Sequence, residues 1–142
     1  MEINNKLLFT KIPEETLFGK TTIVEYAKVS DDLISTMIRL KGIGLAANQV
    51  GLCYRAFAIM LNNTPEVMFN PEITEKVRGL TINEEGCLSY PGIKLLKARI
   101  PKITVVWRDH AGLFYEEQLE GTEAICFQHE LSHLNGVDWE KD

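Results

Sequence analysis

The chain is poor in cysteine, in basic clusters and in long apolar runs, and each shortage closes off a class of function. Cys53, Cys87 and Cys126 are an odd number of cysteines with no CxxC pair among them. That excludes a disulfide framework and suits a reducing compartment. The 15 Lys and Arg residues are scattered among 20 Asp and Glu residues, for a net charge of -5. No patch gathers enough cations to hold phosphates, so direct nucleic-acid binding is not expected. No apolar run approaches the ~20 residues of a membrane span. No basic segment followed by an apolar one opens the sequence, so neither a signal peptide nor a membrane partner is expected. Repeats and low-complexity tracts are missing as well.

What is present suits one folded domain. The 142 residues, 45% hydrophobic and 25% charged, suffice for a single buried core, and no linker divides residues 1–142. Residues 1–21 read as a loosely structured arm, with Pro13, Gly19 and a short edge strand near Leu7 to Phe9. Apolar positions from Ile23 to Leu40 have helical spacing that is clearest in their second half. Ser30 or Asp31 offers a cap there, an earlier start near Thr22 is the alternative, and Gly42 supplies the stop. Residues 54–61 read as a strand, followed by an Asn62-Asn63-Thr64-Pro65 turn and a short strand from Val67 to Asn70. Gly79, Gly86 and Gly92 mark turns around Cys87. Ile103 to Trp107 and Leu113 to Leu119 form a predicted hairpin joined by Asp109 to Gly112. Helical character returns from Thr122 to Leu134. The fold class is α+β: antiparallel or mixed sheets around a central buried helix, with a second helix toward the N-terminus.

That last helix concentrates the chemistry. Between Ala124 and Leu134 its only formally charged residue is Glu130, yet it also holds Gln128, His129, Ser132 and His133. Burying polar groups without partners costs on the order of 2–7 kcal/mol each, and a metal ion is the economical compensation. His129-Glu130-Leu131-Ser132-His133 is an HExxH motif. Positions four apart share a helix face, so both imidazoles can reach one ion while Glu130 faces its water. A catalytic site of this kind takes a third protein ligand. Only nine residues follow His133, which points upstream, to Cys87, Cys126, Cys53 or His110. Cys126 is on the same helix face but reaches the same ion poorly from one straight helix. Ile125 lies one turn before His129, which places it near the ion.

Three segments together resemble the peptide deformylase family. Gly42 to Gln49, GIGLAANQ, is similar to the family's GxGxAAxQ motif; Glu85 to Ser89 is its EGCLS; Gln128 to Gly136, QHELSHLNG, is similar to QHExDHLxG. They occur in the family's order and spacing across residues 42–136.

The resemblance implies removal of the formyl group from N-formylmethionine at the start of new bacterial-type proteins. It implies Cys87, His129 and His133 as ligands of one divalent ion with water in the fourth position. It implies Fe(II) as the native ion, with Zn, Ni or Co able to substitute. It implies Glu130 as general base, and the Gln49 amide and Leu88 N–H as donors to the oxyanion. Ile43, Leu88, Ile125 and Cys126 match the lining of a methionine pocket, and Gly44 lies where an extended peptide adds as a strand. Glu85 and Arg99 match a pair that steadies the metal site. The expected partners are formylmethionyl peptides, with weak ribosome association, in a bacterial cytoplasm or a phage-infected cell. Cys53 has no such role and reads as a small core residue, His110 as a turn residue.

Three features depart from the family pattern. Ser132 stands where relatives usually carry Asp, the opening 21 residues lack the usual Pro-Asp-x-x-Leu-Arg, and the sequence stops six residues after Gly136, before a C-terminal helix linked to ribosome docking. The last feature is expected of compact, bacteriophage-type members. Two other functions compete with deformylation: a related metal-dependent amidase with another acyl substrate, and a non-catalytic, metal-stabilised peptide-binding protein.

Overall fold

The computed structural model describes residues 1–16, 18 and 20–142. Its order is α1 (Lys20–Arg39), β1 (Gly44–Ala46), β2 (Ala56–Leu61), β3 (Thr64–Lys76), β4 (Thr81–Cys87), β5 (Tyr90–Arg99), β6 (Lys102–Arg108), β7 (Phe114–Glu120) and α2 (Gly121–Leu134). The architecture is mixed α+β, as expected. Five strands form one antiparallel sheet in the order β1-β2-β3-β6-β7, and β4 and β5 form a separate antiparallel pair.

The five-stranded sheet is covered on both faces. Phe57, Ile59, Met68, Ile103, Val105 and Trp107 pack with Phe127 and Leu134 of α2. Ala58, Val67 and Phe69 point the other way and pack with Tyr26, Leu33 and Met37 of α1. This explains why β2, Ala56–Leu61, is an almost unbroken apolar run: successive side chains alternate between two helices. Strand β6 is half covered and alternates accordingly, with Ile103, Val105 and Trp107 inward.

Several local expectations need correction. Helix α1 begins at Lys20, so Ser30 and Asp31 lie in its interior and cap nothing. Its end is set by Lys41, not Gly42. Lys41 takes φ 59, its N–H donates to the Ile38 carbonyl at 3.0 Å, and the Gly42 N–H donates to Met37 at 3.0 Å. That is a Schellman ending with lysine in the left-handed position. Gly42 is small for another reason: a Cβ there would stand 2.7 Å from Leu88 Cδ1.

The glycines around Cys87 mark a hairpin rather than a run of turns, with Thr81 paired to Arg99 and Gly86 to Lys94. Strand β3 continues past Asn70 through a bulge between Phe69 and Glu72 to Lys76.

The arm forms a 3-10 turn at Asn5–Leu7 where a strand was expected. The Asn4 side chain caps it, accepting the Lys6 N–H at 3.1 Å. The arm is also anchored: Ile12 is 1% exposed, and its N–H donates to the Leu134 carbonyl at 2.8 Å. Residue 17 and Gly19 of the arm lie outside the described residues. Cys53 is exposed, not core. No helix among the described residues is long and apolar enough to cross a membrane.

Candidate metal centre

Helix α2 buries His129, Glu130 and His133; His129 meets Glu85 of β4 at 2.9 Å, and Glu130 stands against Gly44 of β1. Cys87 reaches the same place from the end of β4. Its Sγ lies 3.2 Å from His133 Nε2, and the two Nε2 atoms lie 3.1 Å apart. The donor atoms of Cys87, His129 and His133 all fall within 4.8 Å of one another. Of the four upstream candidates for a third ligand, only Cys87 joins the histidines. Cys126 turns its thiol to the Ile43 carbonyl at 3.4 Å, Cys53 is exposed, and His110 is exposed in the β6–β7 turn.

The donor set fits a divalent ion. Glu85 Oε1 sits 2.9 Å from His129 Nδ1; a proton on Nδ1 satisfies that contact and leaves the Nε2 lone pair facing Cys87. Burial opposes a charged His129, but Glu130, Cys87 and Glu85 outweigh it and raise its pKa to about 10. The same negative groups around His129 also favour a cation. Burial pushes His133 down to about 3, with His129 and Arg99 adding to the shift, so it presents a neutral imidazole. Glu130 Oε1 is buried with no protein partner among the described residues. Burial, reinforced by Glu85, lifts the Glu130 carboxyl to about 7 against the restraint of His129, Arg99 and the Ala46 amide.

Cys87, His129 and Glu130 open onto a cavity of about 570 Å³. Its wall includes Ile43, Gly44, Gln49, Leu88, Ile125 and Cys126, so the candidate pocket residues are assembled on one side of the ligand set. The Gln49 side chain is fixed at both ends. Its Oε1 accepts the Ala46 N–H at 2.9 Å, and its Nε2 donates to Ser89 Oγ at 3.0 Å and lies 3.6 Å from Cys87 Sγ. Burial, and Glu130 beyond it, push the Cys126 thiol far above its usual range, so it acts as a small apolar wall. Arg99 stands behind the site, bound to both Glu85 oxygens at 2.8 and 2.9 Å.

A family model for polypeptide deformylase matches residues 2–139. The chain belongs to the polypeptide deformylase family. A peptide deformylase of Thermotoga neapolitana is 46% identical over 105 residues, 74% of this chain and 64% of that protein. The alignment therefore spans just under two thirds of that relative's length. A peptide deformylase of Zymomonas mobilis is 37% identical over 141 residues, covering 89% of this chain and 80% of that one. Among solved structures, the Thermotoga maritima peptide deformylase superposes with a TM-score of 0.87 at 36% identity, covering 96% of this chain and 90% of that one. The PDF from a Vibrio parahaemolyticus bacteriophage, in complex with actinonin, also gives 0.87, at 33% identity, covering 96% and 98%.

Within this deformylase fold, three contributors escaped the sequence reading. Ser89, last residue of the EGCLS segment, anchors the Gln49 amide. Asn48 donates to the His133 carbonyl at 2.6 Å and ties the turn after β1 to α2. Trp139 donates to Glu85 Oε1 at 3.4 Å. The first two lie inside segments already singled out, where their side chains carried no signal of their own. Trp139 had one: a large aromatic six residues beyond His133 in a mostly polar stretch.

Proposed function

We propose that this chain removes the formyl group from formylmethionine at the start of newly made polypeptides and releases formate, with residues 1–142 acting as one catalytic domain around the HExxH helix. Cys87, His129 and His133 hold one divalent ion, Fe(II) in a bacterial cytoplasm, with Zn, Ni or Co able to substitute. The observation that carries the reading is the convergence of these three donors beside a buried carboxylate, with Cys87, His129 and Glu130 on the wall of a cavity of about 570 Å³. When bound, the ion supplies Lewis-acid activation of water.

The remaining work falls to side chains and backbone. Glu130, poised near neutrality at about 7, takes a proton from the attacking water and delivers it to the leaving amine as the C–N bond breaks. The Gln49 amide and the Leu88 N–H meet the formyl oxygen where negative charge develops. Ile43, Leu88, Ile125 and Cys126 receive the methionine side chain. The exposed edge of β1 at Gly44 and the residues after Cys87 pair with the extended peptide. Glu85 and Arg99 hold His129 in its ligating orientation. The bacteriophage relative holds actinonin, and the same compound is expected to compete with substrate here. A weak encounter with the ribosome belongs to this reading, because formylated chains emerge there; cosedimentation with ribosomes reads it.

The decisive experiment is formate release from a formyl-Met tripeptide by protein purified without oxygen, with metal content assayed on the same sample. Release that tracks divalent metal and stops on chelation is expected. No release from fully metallated protein overturns the proposal.

A further inference from the structure

Beyond α2 the chain lays residues 138–142 across the inner face of β5. The Tyr90 hydroxyl donates to Asp138 Oδ1 at 3.2 Å, and its ring lies 5.3 Å from that of Trp139. Trp139 is 2% exposed. Its indole stands 5.9 Å from the His129 ring and donates to Glu85 Oε1 at 3.4 Å. Two cations, each only 6% exposed, grip the segment from β5. Lys97 donates to the backbone oxygens of Trp139 and Asp142, and its ammonium lies 5.6 Å from the indole centroid. Arg99 gives Nη1 to Asp142 Oδ2 at 2.8 Å while its other nitrogens bind Glu85.

Burying two cations is an expensive way to fasten a short segment, since apolar side chains would fasten it as well. What the arrangement adds is direction. Glu85 is contacted by Arg99, Trp139 and His129 at once, so its carboxylate has no freedom to rotate, and neither has the imidazole bound to it. Asp142 in turn fixes the guanidinium.

We propose that Trp139 and Asp142 are positioning residues: the 138–142 segment is a clasp that, through Arg99 and Glu85, sets the direction of His129 Nε2 and so the affinity of the metal centre. The inference rests on Cys87, His129 and His133 being the ligands, and its test separates the two claims. Wild-type protein, Trp139→Phe and Asp142→Ala, each as the full chain, are titrated with Co(II) against a chromophoric chelator. Visible absorption, thermal midpoint and steady-state kinetics are recorded on the same samples.

The wild type is expected to bind one Co(II). Both variants are expected to bind it about 10-fold more weakly, with a shifted absorption band and a loss in kcat rather than KM. Asp142→Ala is expected to lower the thermal midpoint as well, because it takes a carboxylate partner from the buried Arg99, so Co(II) affinity, the absorption band and the split between kcat and KM carry the test. Variants that bind Co(II) as tightly as wild type with an unchanged spectrum overturn the clasp, whatever their midpoint, and leave the metal centre standing. A wild type that binds no Co(II) overturns the metal centre and the clasp with it.

Discussion

At position 44 the space a side chain needs is already taken. A Cβ there would stand 2.5 Å from Glu130 Oε2 and 2.7 Å from Cys126 Sγ. Neither neighbour can swing away, since Glu130 is 3% and Cys126 7% exposed. Reading the sequence explained Gly44 by the approach of a substrate backbone; the structure adds that the general-base candidate itself occupies the room. Gly44→Ala is therefore expected to displace the Glu130 carboxylate. It should cost about 10²-fold in kcat/KM, as a misplacement near 1 Å does, with a stability loss of about 1–3 kcal/mol from overpacking. Formate-release kinetics and urea unfolding measure the two effects separately. Glu130→Gln keeps the shape and removes the proton acceptor. Its turnover should fall about 10²–10⁴-fold at unchanged metal stoichiometry, and a variant with wild-type turnover at full metal loading would remove Glu130 from the mechanism.

Among the elements, α1 ends on a residue that local rules would not choose. Lys41 holds φ 59, a left-handed conformation that costs a side-chain-bearing residue about 1–2 kcal/mol. Gly42, the natural candidate for that place, is used where it meets Leu88. Lys41→Gly should relieve the strain and, after the added chain entropy, stabilise the protein by about 0.5–1 kcal/mol, read as a higher urea midpoint at constant slope.

The β4–β5 pair shows the opposite problem. Ile82 and Leu96 are 65% and 74% exposed while Glu85, Lys97 and Arg99 are buried. Alternation is present but with the usual polarity reversed, because the inner face of this hairpin meets a polar site rather than an apolar core. Helix α2, in contrast, was legible at once: its apolar run and its HExxH spacing both report local geometry.

At the scale of the whole molecule, one buried ion pair, Glu85–Arg99, ties stability to pH. Burial alone would raise the Glu85 carboxyl, but Arg99 and His129 outweigh it and hold it down from 4.5 to about 2. Folding therefore favours the charged form. The resulting stability is complete above pH about 4.5 and is lost as pH falls toward about 2. It amounts to on the order of 3 kcal/mol. Chemical denaturation measured from pH 6 down to 2 should show this loss in the wild type. Glu85→Gln should be less stable at neutral pH and show a shallower acid slope in the same window. Equal slopes in the two proteins would show that the pair does not couple folding to pH.

By itself the sequence determined what short-range geometry controls. Four-residue spacing on a helix brings His129 and His133 to one face, and Asn62-Asn63 makes the β2–β3 turn with φ 52 and 62. The three quoted segments also carried the family. Only the tertiary structure brought Cys87, and not Cys126, within reach of the two histidines, joined Gln49 to Ser89 and set Trp139 against Glu85. Those contacts cross 38 to 54 positions of chain. At such separations no periodicity or propensity reaches, and the pairing of strands and packing of helices alone decides which side chains meet.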